Sequence, residues 1–520
     1  MALGLVAWAG GNGCSQLESP HQSFGAAGGA GASSAPSQAA GTSGLTGGAG
    51  GAAGCWDPRG FDGVGCGTCA ASDIVAFENA CSEISCTPFP NGMRLSKLLP
   101  NGELPSLPDR PKASASDKEP AQNQPAKAPA GFACDDLGAQ GRLVYVTGSS
   151  AARGYLEQIA QQLASRGVYL VYAATGSCSG VDAILNGTRT AADSGPATYW
   201  ESASSSGKAC DLPTSGAASD LAISDVFAQT CPGFELASLD DQGVRDVRGP
   251  IQTMIFAVPS NSRHSELSRQ AAYFVFGFGK DGGVRDASGA PAWDDESLLM
   301  PRAPGSGTQA LVAAAIGVPA DRFVGPAYAS SEEVAVALQE AGTDMDRAQR
   351  ALGILAADHI ESRNLRARIR ALAFQDTRQG CAVYPDSTQA SRDKRNVRDG
   401  HYPLWGPLHF LYRVDTRGNP IDAQKREVML DIIGYLSGTK PLPSGLNLLD
   451  VYAENGLIPQ CAMQVTRLQD GGNVQAFRSN TPCACSFEFK VTGSTACKSC
   501  ASQGDCGAAE TCSFGYCERG

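Results

Sequence analysis

From about residue 141 to 440 the chain alternates short apolar runs with amphipathic segments. Leu143-Val-Tyr-Val146 is a β-rich run, and the hydroxyl-rich Thr147-Gly-Ser-Ser150 follows it. Leu156, Ile159, Ala160 and Leu163 then recur at helical spacing until Gly167, and Val168–Ala173 is the next apolar run. Strand, helix and strand in about 30 residues make one βαβ unit, which predicts a parallel sheet covered by helices and hence an α/β fold. The aromatic run Tyr273-Phe-Val-Phe-Gly-Phe278 predicts core, and Glu361 to Arg370 predicts a solvated, charged helix face.

One loop chemistry recurs where strands give way to helices. After Thr147–Ser150 come Gly176-Ser-Cys-Ser-Gly180 and Gly305-Ser-Gly-Thr308, the latter opening a predicted helix over 309–316. A further loop, Ser224-Asp225, follows the apolar Leu221-Ala-Ile223. Helix N-termini present unpaired N–H groups, and small residues there let an anion approach. Gly or Ser at one helix start is ordinary capping; three such loops with an acidic fourth point to an oxyanion. Arg302, four residues before Ser306, can add a planar two-pronged donor.

Composition divides the remainder. The chain has 520 residues, 62 Gly, 19 Cys and a formal net charge of -11. An acidic balance argues against nucleic-acid or anionic-membrane binding but not against a local anion pocket. Five cysteines fall between Cys55 and Cys86 and eight between Cys461 and Cys517, without a histidine in either cluster. That pattern favours disulfide-stapled modules over zinc, and with them an oxidising compartment, the periplasm or cell surface. The five histidines have no ligand partners at helical spacing, so no metal site and no cofactor is expected. The predicted organisation is an export remnant and Gly/Ala/Ser tether over 1–54, with Cys14 as a candidate lipid-attachment site and membrane tether. A Cys-rich segment (55–100), a Pro/Ala-rich linker (101–133), a main domain (134–440), and a connector with a second Cys-rich module (441–520) follow.

The loops, in this order, resemble those of the periplasmic phosphate-binding proteins that serve high-affinity phosphate ABC transporters. Arg302-Ala-Pro-Gly-Ser-Gly-Thr308 matches that family's Arg-x-x-Gly-Ser-Gly-Thr loop. Trp293-Asp-Asp, Tyr402-Pro-Leu and Met429–Ser437 resemble its Trp-Asp-Asp segment, late strand and closing helix. The resemblance covers about 141–440. It implies a type 2 periplasmic-binding-protein fold: two lobes (about 141–248 with 405–440, and about 249–404) joined by two crossover strands. It also implies inorganic phosphate as ligand and an ABC permease as partner. Carried over, Ser149, Ser150, Ser177 and Ser179 cap the anion from one lobe, and Arg302, Ser306, Gly307 and Thr308 close from the other. Asp225 matches the family's buried carboxylate, which accepts a hydrogen bond from a protonated phosphate and repels sulfate. Three departures stand out: Ala151-Ala-Arg153 after the first loop, Cys178 in the second, and Pro304 where an acidic residue is common.

Two other readings compete. Gly176-x-Cys178-x-Gly180 between strand and helix has the form of a nucleophile elbow, with Asp225, His359, His401 and His409 available to a secreted hydrolase. Against it, a single strand precedes the elbow in the domain, and Cys178 also suits a disulfide with Cys210 or Cys231. The remaining alternative is a cell-surface interaction protein that kept the fold.

Overall fold

The βαβ unit starts the sheet. In the computed structural model, β1 (Arg142–Gly148) and β2 (Val168–Ala173) run parallel, with helix Arg153–Ala164 crossing between them. The structure describes residues 66, 68, 71, 73–82, 87–109, 130–194, 197–202, 205–235, 238–442 and 446–519. The crossing helix buries Tyr155, Leu156, Ile159, Ala160 and Leu163, the stripe its periodicity predicts. β3 (Ala197–Tyr199) and β4 (Lys208–Cys210) extend the β2 edge antiparallel, and β5 (Leu221–Ser224) flanks β1 in parallel.

β6 (Val244–Pro259) is 16 residues long and serves two neighbourhoods. After it come β7 (Glu266–Ser268), β8 (Leu299–Met300), β9 (Leu352–Ala356), β10 (Ile369–Ala371), β11 (Ala373–Gln375) and β12 (Trp405–Arg413). The strand order is β4-β3-β2-β1-β5-β12-β6-β9-β8, β10 also pairing with β6, while β7 and β11 form a separate parallel pair. From Val244 to Thr253, β6 pairs antiparallel with β12; from Met254 to Pro259 it pairs with β9 and β10. The chain thus leaves the first lobe along β6 and returns along β12, giving two lobes joined at two strands. Pro407 has no N–H to give the ladder, and the β6–β12 register shifts between Pro407 and His409.

The aromatic run 273–278 is core: helix Arg269–Phe278 buries Phe274, Val275 and Phe276. The charged stretch from Glu361 departs from expectation in part: residues 362–364, 367 and 368 are exposed, but the helix ends at Ser362 and only 7% of the Glu361 side chain is exposed. Lys394 Nζ and the Arg366 guanidinium bond it, with Asp386 completing the group. Two cations hold its carboxyl at about 2 against the opposing effect of burial.

Segments outside the sheet pack on both lobes. Leu95 bridges to Val284, Arg94 pairs with Glu266 at 2.5 Å, and the Tyr273 hydroxyl donates to the Pro105 carbonyl at 2.7 Å. The C-terminal segment crosses the hinge itself. Ile458 bridges to Ile251 of β6, and buried Arg467 donates to the carbonyls of Pro403 (3.1 Å) and Trp405 (3.0 Å) while its guanidinium stacks 3.9 Å over the Trp405 ring. Burial lowers Arg467 to about 10, opposed by Asp470, Glu78 and Asp376. Disulfides Cys461–Cys483, Cys485–Cys497, Cys500–Cys512 and Cys506–Cys517 staple this end. Cys500, Cys506 and Cys512 cluster as metal ligands would, but each sulfur is already bonded to another cysteine. Among the described residues no helix is long and apolar enough to cross a membrane.

Replacing Arg467 leaves two buried carbonyls without their donor. Arg467→Ala is expected to lower unfolding stability by about 3 kcal/mol, at roughly 1–3 kcal/mol per orphaned group. Urea denaturation measures this, and a change below about 0.5 kcal/mol would show that the hinge does not rely on it.

Candidate functional site

The four loops converge where the lobes face each other. Gly148 ends β1 with φ 126°, and a Cβ there would stand 2.0 Å from the Ile223 carbonyl oxygen, so only glycine lets the first loop leave beside β5. Ser149 then caps a single 3₁₀ turn by accepting from Ala151 N–H at 3.1 Å. The buried Tyr172 hydroxyl donates to the Ser149 carbonyl and fixes that turn from β2. In the second loop, Ser177 opens helix Ser177–Leu185 and is fully buried, its Oγ accepting from Asp225 N–H at 3.1 Å. Asp225 directly follows β5 and is 2% exposed.

The second lobe supplies the rest. Arg302 is 3% exposed, and its backbone N–H donates to Gln309 Oε1 at 3.0 Å. Its Nη1 donates to Ser331 Oγ (2.8 Å), Nη2 to the Ala329 carbonyl (2.8 Å), and Nε to the Tyr328 carbonyl (3.3 Å). Nη2 also reaches across the cleft to Ser150 Oγ at 3.2 Å. Of five guanidinium N–H groups these four bonds leave one, on Nη1. Ser306 is the N-cap of helix Gly307–Ile316, yet its side chain makes no capping bond, and the helix's first N–H groups have no intrahelical acceptor. Thr308 Oγ1 is buried without a hydrogen-bond partner, as is Asp225 Oδ1.

Loops two and four touch. Cys178 N–H donates to the Gly305 carbonyl at 3.1 Å, and a Cβ on Gly307 would lie 2.4 Å from Ser177 Oγ and 2.9 Å from Asp225 Cβ. The structure therefore brings together Ser149, Ser150, Ser177, Asp225, Arg302, Ser306, Gly307 and Thr308. Ser179 departs from this set. Two positions along a helix turn through roughly 200°, so with Ser177 facing inward Ser179 is exposed beside Gly305. Cys178 is bonded to Cys231, and Cys210 to Cys134. A disulfide sulfur carries no thiolate, so the nucleophile-elbow reading of Cys178 fails. The histidines proposed with it lie apart from one another in role: His409 bonds Asp246 at 2.7 Å, and a ring nitrogen of His401 meets the Ala80 carbonyl at 3.1 Å.

Three buried acids surround Arg302 and the hinge, two of which the sequence reading missed. Burial raises Asp225 to about 6, opposed by the Ser149 hydroxyl, Arg302 and the Ser177 hydroxyl. Asp358, which follows β9, rises to about 7 through burial, although Gln252 Nε2 donates to it at 2.9 Å. Asp470 accepts from Phe227 N–H (2.8 Å) and Thr230 Oγ (2.7 Å), and burial raises it as well. Burial lowers Arg302 to about 10 against the support of Asp225, Glu333 and Asp358. Asp358 lies in the first turn of helix Ala357–Ser362, which starts directly after β9, and that strand-to-helix junction was the available signal. Asp470 sits in the C-terminal segment far from every loop motif, and no sequence feature marks it.

No family model matches the chain, and no curated protein matches it. Solved structures do. A substrate-binding protein from Clostridium perfringens with bound phosphate aligns over 61% of this chain and 99% of its own, at 14% identity and TM-score 0.40. An ABC-type phosphate transport receptor from Vibrio cholerae aligns over 61% and 99%, at 13% identity and TM-score 0.37. A phosphate-binding protein from Stenotrophomonas maltophilia aligns over 61% and 90%, at 14% identity and TM-score 0.35.

Because Asp225 titrates near 6 when folded and at 3.8 when exposed, the folded chain holds the extra proton between about pH 4 and 6. Its contribution to stability accordingly falls as pH rises through that window. Asp225→Asn is expected to flatten this part of the ligand-free pH–stability curve, by up to about 3 kcal/mol. Urea midpoints at about pH 4.5 and about pH 7 provide the check; an unchanged slope would mean Asp225 is ionised throughout.

Proposed function

We propose that this is an extracytoplasmic solute-binding protein that captures inorganic phosphate, or a similar tetrahedral oxyanion, between its two lobes. The observation that carries the reading is the Arg302–Ser150 bond across the cleft, beside the unpartnered, buried Asp225 Oδ1 and Thr308 Oγ1. The helices opened by Ser177 and Gly307 start side by side, a Cβ on Gly307 falling 2.4 Å from Ser177 Oγ. Positive potential from helix ends and Arg302 favours an anion, and neutral hydroxyls orient its oxygens without adding charge.

Asp225 sets which anion fits. Next to bound hydrogen phosphate its carboxylate accepts the ligand's O–H; sulfate has no proton to offer and meets like charge. Release requires the lobes to part along β6 and β12, a hinge opening that breaks the Arg302–Ser150 and Cys178–Gly305 bonds. Delivery to an ABC permease, or sensing, completes the proposed role. The disulfides support an oxidising compartment. Cys14 and the stretch to Gly54, the proposed anchor and tether, lie outside the described residues.

Calorimetry on protein stripped of endogenous ligand is expected to show one phosphate per chain, little dependence on salt, and no heat with sulfate. Arg302→Ala is expected to abolish phosphate binding, and Asp225→Asn to admit sulfate. Absence of heat with phosphate would sink the reading.

A further inference from the structure

Beside the anion cradle lies a cavity of about 610 Å³ between the lobes. Ser150, the hydroxyl that receives Arg302, lines it, as do Tyr172 and Asp358. That volume falls in the range of small-molecule sites, roughly 300–1,000 Å³. No Leu, Ile, Val, Met, Phe or Trp lines the cavity: the carbon surface is that of alanine and threonine methyls, a glycine, the Tyr172 ring and the His359 imidazole. An acyl chain would find no branched aliphatic surface to bury against, and the Tyr172 ring is itself buried, which leaves little for an aromatic ligand to stack on.

The walls are instead rich in hydrogen-bond acceptors. Glu157 on helix Arg153–Ala164 faces Glu332 and Glu333 of helix Ser331–Ala341 across the cavity, and Asp358 and Asn455 line it as well. Three glutamates and the partly protonated Asp358 oppose two arginines, Arg153 and Arg363. That balance repels a second anionic group and suits ligand hydroxyls, which donate to carboxylate and amide oxygens in pairs.

Resting on the phosphate reading above, we propose that the ligand is a phosphate monoester of a polyhydroxylated alcohol. The phosphoryl group occupies the Arg302–Asp225 cradle, and the hydroxyl-bearing part lies in the cavity against Glu157, Asp358 and Glu332. Both lobes then contribute to the cradle and to the cavity, so each part of the ligand is held from two sides.

Calorimetry on the full chain with orthophosphate, methyl phosphate, glycerol 3-phosphate, glucose 6-phosphate and pyrophosphate tests this. The polyol phosphates are expected to bind at least about tenfold more tightly than orthophosphate or methyl phosphate, and pyrophosphate more weakly than either polyol ester. Glu157→Ala and Glu332→Ala, on opposite walls and outside the cradle, are expected to remove most of that advantage while orthophosphate affinity changes less than about threefold. Melting temperatures establish that both variants fold. Orthophosphate binding as tightly as every polyol ester, or both variants leaving the esters unaffected, would overturn the inference and leave the cradle standing. Equal binding of methyl phosphate and glycerol 3-phosphate would overturn it too. If no phosphate compound binds, the cradle reading fails and this one with it.

Discussion

Burying an arginine at a lobe junction is the constraint around which this molecule is arranged. Removing a guanidinium from water costs several kcal/mol unless its N–H groups find acceptors, roughly as for any buried ion. The second lobe satisfies Arg302 only in part, through Tyr328, Ala329 and Ser331. The remaining direction points across the cleft to Ser150 and toward Asp225, whose own carboxylate is buried and half unpaired. Each lobe therefore carries a charge that its own residues leave incompletely solvated, and an oxyanion seated between them complements both.

That arrangement needs the lobes held in register, which β6 and β12 provide. The strands pair from Val244 to Thr253, and the C-terminal segment adds Arg467 and Asp470 to the same junction. Arg467 bonds the backbone on the path into β12; Asp470 anchors the loop that follows Asp225. The Cys-rich end is thus contiguous, through residues 458–470, with the support of the cleft.

Much of the cradle was legible because its residues sit in local motifs. Gly148 and Gly307 reflect close backbone approach, and Arg302-Ala-Pro-Gly-Ser-Gly-Thr308 places an arginine, a cap and a helix start in one short stretch. What escaped depends on contacts distant in sequence. Asp358 matters through Gln252 of β6, 106 residues away, and Asp470 through Thr230, 240 residues away. In sequence Ser179 carries over with Ser177 as part of one loop, but that loop is already helical at Ser177, so the two serines diverge and Ser179 is exposed beside Gly305. The Glu361 group shows the same limit, since a charged stretch reads as solvent-facing until Lys394 and Asp386 fold over it.

On the proposed anion-capture reading, the Cys178–Cys231 bond constrains how the first lobe meets its ligand. It joins the helix headed by Ser177 to the segment just beyond Asp225, closing a loop with a sequence separation of 53. The relative freedom of those two arms is surrendered at oxidation, before any ligand arrives, instead of at each encounter. Affinity in this lobe is thereby written partly into the redox history of the chain: a molecule matured without that bond carries the same serine and aspartate but must order them anew at every capture.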